Sequence, residues 1–247
     1  MIKEIKDQRL QKVLAQRGFG SRREIEGWIV AGKVLVNGKV AELGCKVGES
    51  DVLTVNGRVL SNLKKPILAQ QRLILYHKPV GEICTRNDPE GRPTVFGSLP
   101  KLSGQRWVTV GRLDINSSGL LLMTTDGELA NKLMHPSANL EREYAVRVLG
   151  QVTEEILSNL NTGVILDDGS EAKFNSVKFV GGSGVNSWYN VILKEGRYRE
   201  VRRIWETQGI KVNRLIRIRY GSFKLPKDLE AGKYLELDYD DASSQFN

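Results

Sequence analysis

Val110-Gly111-Arg112-Leu113-Asp114-Ile115-Asn116-Ser117-Ser118-Gly119-Leu120-Leu121-Leu122-Met123-Thr124-Thr125-Asp126-Gly127 is the stretch on which the reading of the chain turns. Apolar runs from Trp107 to Val110 and from Leu120 to Met123 flank a polar segment, the pattern of two strands joined by a chain reversal. Arg112 and Asp114 then stand where one strand ends, a position from which scaffolds commonly present reactive side chains. Turn chemistry alone favours the same residues, because short polar side chains hydrogen-bond the local backbone and glycine accepts positive φ. Composition therefore leaves Asp114 open between a structural and a chemical role.

The spacing removes some of that freedom. Gly111-Arg112-Leu113-Asp114, two further residues, Ser117-Ser118-Gly119-Leu120-Leu121-Leu122 and then Thr124-x-Asp126-Gly127 resembles the nucleophile motif of the Rsu-type branch of the ribosomal pseudouridine synthases. The resemblance implies that Asp114 is the essential carboxylate and that Arg112 helps to hold the target nucleotide out of its stack. It extends to Glu141-Arg142-Glu143-Tyr144-Ala145-Val146, where it implies a tyrosine, Tyr144, that stacks on the flipped base and takes part in proton transfer. The family more often carries lysine where this chain has Arg142. Val201-Arg202 matches an apolar–arginine pair whose arginine pairs with the catalytic aspartate, which would keep Asp114 ionised where burial would protonate it.

Three longer matches, Cys84 to Phe96, Glu141 to Val146 and Arg199 to Trp205, place the chain nearest the large-subunit members of that family. The implied activity is site-specific isomerisation of a uridine to pseudouridine in 23S ribosomal RNA, or in an assembly intermediate of the large subunit. Such chemistry needs an extruded nucleotide, since the reacting atoms are out of reach in a stacked helix. It implies neither a metal nor an organic cofactor. Two alternatives stay open on sequence: a non-catalytic rRNA-binding assembly factor with the same fold, and the same chemistry on small-subunit rRNA.

Composition agrees with a nucleic-acid partner. The 247 residues carry a net charge of +8 and 40% apolar content, enough for one full core and a small satellite domain. Two cysteines, Cys45 and Cys84, and two histidines, His77 and His135, lack metal-ligand spacing, so neither a zinc site nor a disulfide framework is expected. No apolar run approaches a signal core or a membrane span, and a cytoplasmic monomer is expected.

Residues 8–65 read as a separate unit. Leu10, Val13 and Leu14 recur at helical spacing before Gly18; Ser21 and Glu24 form a capping-box signature for a second helix with Ile25, Trp28 and Ile29 on its apolar face. Asn37-Gly38 and Asn56-Gly57 signal hairpins. This order resembles the α-L (S-four type) RNA-binding domain. The first 70 residues hold 13 Lys or Arg against 7 Asp or Glu, three quarters of the chain's excess charge. Arg9 and Lys12 on the first helix, and Arg22 and Arg23 at the start of the second, are the candidate phosphate contacts; a merely solvated charged face is the plainer reading.

Leu63 to Gln71 reads as a linker, after which residues 72–240 would form the catalytic domain. Its alternating strands and helices, without long parallel crossovers, predict an α+β fold around a central mixed, mainly antiparallel sheet. Lys78-Pro79 ends the opening strand. The polar loop from Arg86 to Pro93 either reaches RNA or is only a long turn, and Gly181 to Gly184 reads as a flexible hairpin loop. Between Lys194 and Lys224 the chain has 10 Lys or Arg against 3 Asp or Glu. There, strict alternation predicts Ile216, Ile218 and Tyr220 on one face and Arg217 and Arg219 on the other, extending an RNA track across both domains. The last residues, Asp240 to Asn247, read as disordered.

Overall fold

The computed structural model describes residues 7–60, 70–183 and 185–245. Apart from Gln70 and Gln71, the expected linker lies outside them. The chain divides into two compact units: the described residues up to Gln71 with Lys101–Trp107 and Thr125–Gly127, and the remainder.

In the first unit two helices, Leu10–Gln16 and Arg22–Val30, lie with a four-stranded sheet ordered 39–40, 34–36, 53–55, 58–60. A seven-residue helix is unstable alone. Leu10–Gln16 is held by burying Leu10, Val13 and Leu14 against Ile25, Ile29 and Leu53, each side chain contributing about 1.5–3 kcal/mol. The capping box forms: Ser21 Oγ accepts from the Glu24 amide and the Glu24 carboxylate accepts from the Ser21 amide. Both hairpins turn on Asn-Gly pairs with positive φ at each residue, as such turns require.

The second unit is built on a nine-stranded sheet. Its main path runs 176–183, 186–193, 142–149, 211–220, 118–124, 73–78 and 234–237, with 108–110 beside 118–124 and 223–224 beside 211–220. All pairings are antiparallel except that of Lys211–Tyr220 with Ser118–Thr124, so the expected mixed, mainly antiparallel sheet is what forms. Leu73, Leu75, Leu120 and Leu122 pack under the helix Gly127–Met134 through Leu129 and Leu133. The helix Glu200–Glu206 buries Val201, Ile204 and Trp205.

Three expectations are corrected. Tyr144 pairs with Arg217 and Glu143 with Arg219, so Ile218 is an extra residue, a β-bulge, in the Lys211–Tyr220 strand. Cross-strand partners share a face while Glu143 and Tyr144 alternate, so Arg217 and Arg219 point to opposite faces rather than to one. Gly181 and Gly182 belong to the Ser176–Ser183 strand, whose register shifts between Phe179 and Gly181. The acidic C-terminal stretch is a helix, Tyr239–Ser244, capped by Asp238 accepting from the Asp241 amide and anchored by buried Ala242. Acids in a first turn complement the helix dipole, a function that composition alone hid. Among the described residues, no helix is long and apolar enough to cross a membrane.

Candidate active site

The turn carrying Asp114 is fastened carbonyl by carbonyl. Leu113 O accepts from the Cys84 thiol at 3.4 Å, Asp114 O from the Ser117 amide at 3.0 Å and Ile115 O from the Gly81 amide at 2.9 Å. Asn116 O accepts from Arg202 Nη2 at 2.9 Å, and Ser117 O from Lys78 Nζ at 2.8 Å. Five consecutive carbonyls are thus occupied, by three donors from the 78–84 segment, by Arg202 and by the turn's own Ser117 amide. Lys78 is fully buried, and also donates to Pro79 O at 2.9 Å. Burial pulls the Lys78 ammonium below its ordinary pKa, opposed by the fields of Cys84, Glu82 and Asp114. Burial likewise pushes the Cys84 thiol up.

The turn borders a cavity of about 360 Å³ whose wall includes Arg112, Asp114, Tyr144, Arg217, Tyr220 and Glu200. That volume lies in the range of small-ligand sites. The bulge at Ile218 is what brings Arg217 beside Tyr144 on this wall. Tyr144 is buried and Arg112 exposed. The Asp114 carboxylate, half-buried, makes no hydrogen bond or ion pair among the described residues. Arg142 closes one side: it donates to Lys194 O, to Glu195 O at 3.3 Å and to Tyr220 Oη at 3.2 Å, while Tyr220 donates to Leu133 O at 2.9 Å. Arg142 and Arg217 lie 5.0 and 5.1 Å from the centre of the Tyr220 ring.

Two carboxyl groups border the cavity in different surroundings. Glu200, only 5% exposed, accepts the Arg197 amide at 3.0 Å. Burial, reinforced by Glu195 and opposed by that hydrogen bond and by Arg197 and Arg142, raises its pKa. Asp114 has solvent and no protein donor on its side chain.

The family model described as RNA pseudouridylate synthase matches residues 72–207, more than half of the chain, and takes in the Asp114 turn, Tyr144 and Glu200 of the cavity wall but not Arg217 or Tyr220. The chain belongs to the RNA pseudouridylate synthase family. An S4 domain model matches residues 8–53 of the same synthase. The synthase is 59% identical over 233 residues to the ribosomal large subunit pseudouridine synthase B of Salmonella typhimurium, covering 94% of this chain and 79% of that one. It is 58% identical over 235 residues to the protein of the same name from Escherichia coli K12, covering 94% and 79%. A crystal structure of a pseudouridylate synthase shares the fold, with a TM-score of 0.67 at 24% identity over 97% of this chain and 100% of the other.

In this synthase the residues singled out by sequence separate into two groups. Asp114, Tyr144 and Arg112 converge on the cavity. Arg202 does not pair with Asp114: it donates to Val212 O at 2.7 Å and to Asn116 O, and Asp114 reaches it only as a field opposing the effect of burial. Its guanidinium is spent on backbone where two strands part. Arg217 is 2% exposed and donates to Leu120 O, so it lines the cavity instead of a solvent-facing track. Arg219 faces away and is paired with Glu141 and Glu143.

The basic segment is otherwise largely neutralised in place. Arg203 pairs with Asp167 and Asp168, Arg197 with Glu195 and Arg199 with Glu206. The Arg86–Pro93 loop closes on itself through Arg92 with Asp88 and Glu90. In the first unit Arg9, Arg22 and Arg23 are exposed and Lys12 is half-buried; the capping box uses the Ser21 and Glu24 amides of that helix start.

Sequence reasoning placed Arg142 beside Tyr144 without giving it a role, and missed Lys78 and Cys84 as parts of the site. The signal for Lys78 was present: a lysine closing the apolar run from Leu73 has no water to face. For Cys84 and Arg142 the motifs marked the positions but not the contacts, since Leu113 O, Lys194 O and Tyr220 Oη lie far off in sequence.

Proposed function

We propose that this synthase converts one uridine of large-subunit ribosomal RNA to pseudouridine, with Asp114 as the acting carboxylate. The convergence of Asp114, Tyr144 and Arg112 on one cavity carries the reading, and the names of the relatives supply the RNA. An extruded nucleotide enters the cavity with Arg112 at the exposed edge, taking the place the base leaves in the stack. Tyr144 lies against the uracil. Asp114, without a protein hydrogen bond of its own, stands free beside the sugar and base.

The C1′–N1 bond breaks, the uracil turns within the cavity, and a C1′–C5 bond forms; C5 gives up its proton and N1 gains one, so nothing is oxidised or lost. Arg202 and Lys78 hold the turn that aims the carboxylate. Residues 8–65 grip RNA through Arg9, Lys12, Arg22 and Arg23, while residues 72–240 carry the chemistry. The enzyme works as a cytoplasmic monomer on ribosomal RNA or its assembly intermediate.

Pseudouridine mapping across both ribosomal RNAs tests this, in cells lacking the gene and complemented with wild type or Asp114→Asn. Loss of one large-subunit site, restored by wild type and not by Asp114→Asn, is expected. A lost small-subunit site would move the target, and restoration by the variant would remove Asp114 from its role.

A further inference from the structure

The parallel pairing at the centre of the large sheet is short: only Ile216 with Ser118 and Arg217 with Gly119. Towards their starts the two strands diverge, one into the Asp114 turn and the other back to Val212. Arg202 bridges the fork, donating to Asn116 O and Val212 O. The residue is 7% exposed and its Nε is buried without an acceptor. Among the described residues it has no ion pair, so a buried guanidinium stands without an anion in contact, a costly arrangement.

A second cavity, about 570 Å³, opens beside it. Ile216 and Ser118 line this one, whereas Arg217, the next residue along, lines the catalytic cavity. Successive strand residues point to opposite faces, so the two cavities lie on opposite sides of the strand pair, with Leu215 bordering both. Val80, Arg214, Asn116 and Asn213 complete a wall that contains no Asp or Glu. Arg214 is exposed and, among the described residues, has no ion pair or hydrogen bond on its side chain; the same holds for the Asn116 and Asn213 amides. Two guanidinium groups, two amides and a hydroxyl without a carboxylate form a receptor for a polyoxygen anion.

We propose that this cavity binds a phosphate group and that the phosphate, as countercharge to Arg202, stiffens the turn carrying Asp114. The phosphate comes either from the backbone of the bound RNA or from free anion, and two arms distinguish them. In the first, inorganic phosphate is titrated at constant ionic strength while the thermal midpoint of the full chain is followed. A saturable rise is expected for wild type and for Asp114→Asn, and loss of the response in Arg214→Gln and Asn213→Ala. Because Asp114→Asn keeps this cavity, failure of the catalytic reading and failure of the phosphate site remain separate results.

In the second arm RNA affinity is measured against salt. A slope smaller by about one unit in Arg214→Gln, as when one phosphate fewer is neutralised, identifies an RNA phosphodiester as the occupant; an unchanged slope with a saturable phosphate response identifies free phosphate. No saturable response, together with an unchanged slope, overturns the proposal.

Discussion

Asp114 and Glu200 border one cavity in different surroundings, the first half-buried and the second 5% exposed. Glu200 is part of the wall, its pKa raised chiefly by burial. Its unfolded value is near the ordinary 4.5, so between there and the raised value the folded chain binds more protons than the unfolded one. Stability from this group is full below that window and is lost as pH rises through it, at most about 1.4 kcal/mol per pH unit. Glu200→Gln removes the linkage: denaturant midpoints from pH 4 to 8 should fall less steeply for the variant, and parallel curves would contradict the assignment. Asp114→Asn tests the proposed chemistry instead. It adds no bulk and touches no fastening of the turn, so turnover should vanish while RNA affinity stays within about threefold, measured by filter binding and single-turnover kinetics. The carboxylate was legible because its spacing is carried by contiguous residues. Arg202 was only half legible, since its place beside the turn could be read but its acceptors, Asn116 O and Val212 O, are backbone atoms that leave no mark in a sequence.

Elements were read well wherever periodicity was local and poorly where one residue broke it. The capping box at Ser21 and both Asn-Gly hairpins formed as their chemistry requires. The bulge at Ile218 did not announce itself: strict alternation from Ile216 to Tyr220 reads as an unbroken strand, yet one extra residue sends Arg217 into the cavity and Arg219 to the carboxylates of Glu141 and Glu143. Gly119 is the matching constraint on the neighbouring strand. Its φ is +106°, and a Cβ there would stand 2.3 Å from Arg217 O. Gly119→Ala should therefore cost about 3 kcal/mol or more, from overpacking and left-handed strain together. Equilibrium denaturation of the purified variant measures it, and a midpoint equal to wild type would mean that the two strands are not locked at this pair.

At the scale of the whole chain, the sign of the charge was informative and its distribution was misleading. The excess of positive residues between Lys194 and Lys224 suggested a second basic surface, but Arg197, Arg199, Arg203 and Arg219 have acidic partners and Arg202 and Arg217 are buried. Sequence counts charges without saying which are already answered. The first unit keeps Arg22 and Arg23 exposed, so Arg22→Ala with Arg23→Ala should flatten the salt dependence of RNA affinity by up to about two units of slope. Titration from low to moderate salt reads it, and an unchanged slope would take the pair out of RNA binding. The five fastened carbonyls from Leu113 to Ser117 have a consequence for selectivity. A segment so held has little freedom to mould itself to its target, so the deformation that brings reactants together falls on the nucleic acid. Choice among uridines then becomes partly a contest of pliancy, in which a nucleotide at a loose or imperfectly stacked position outcompetes an identical base in regular helix before any contact reads its identity.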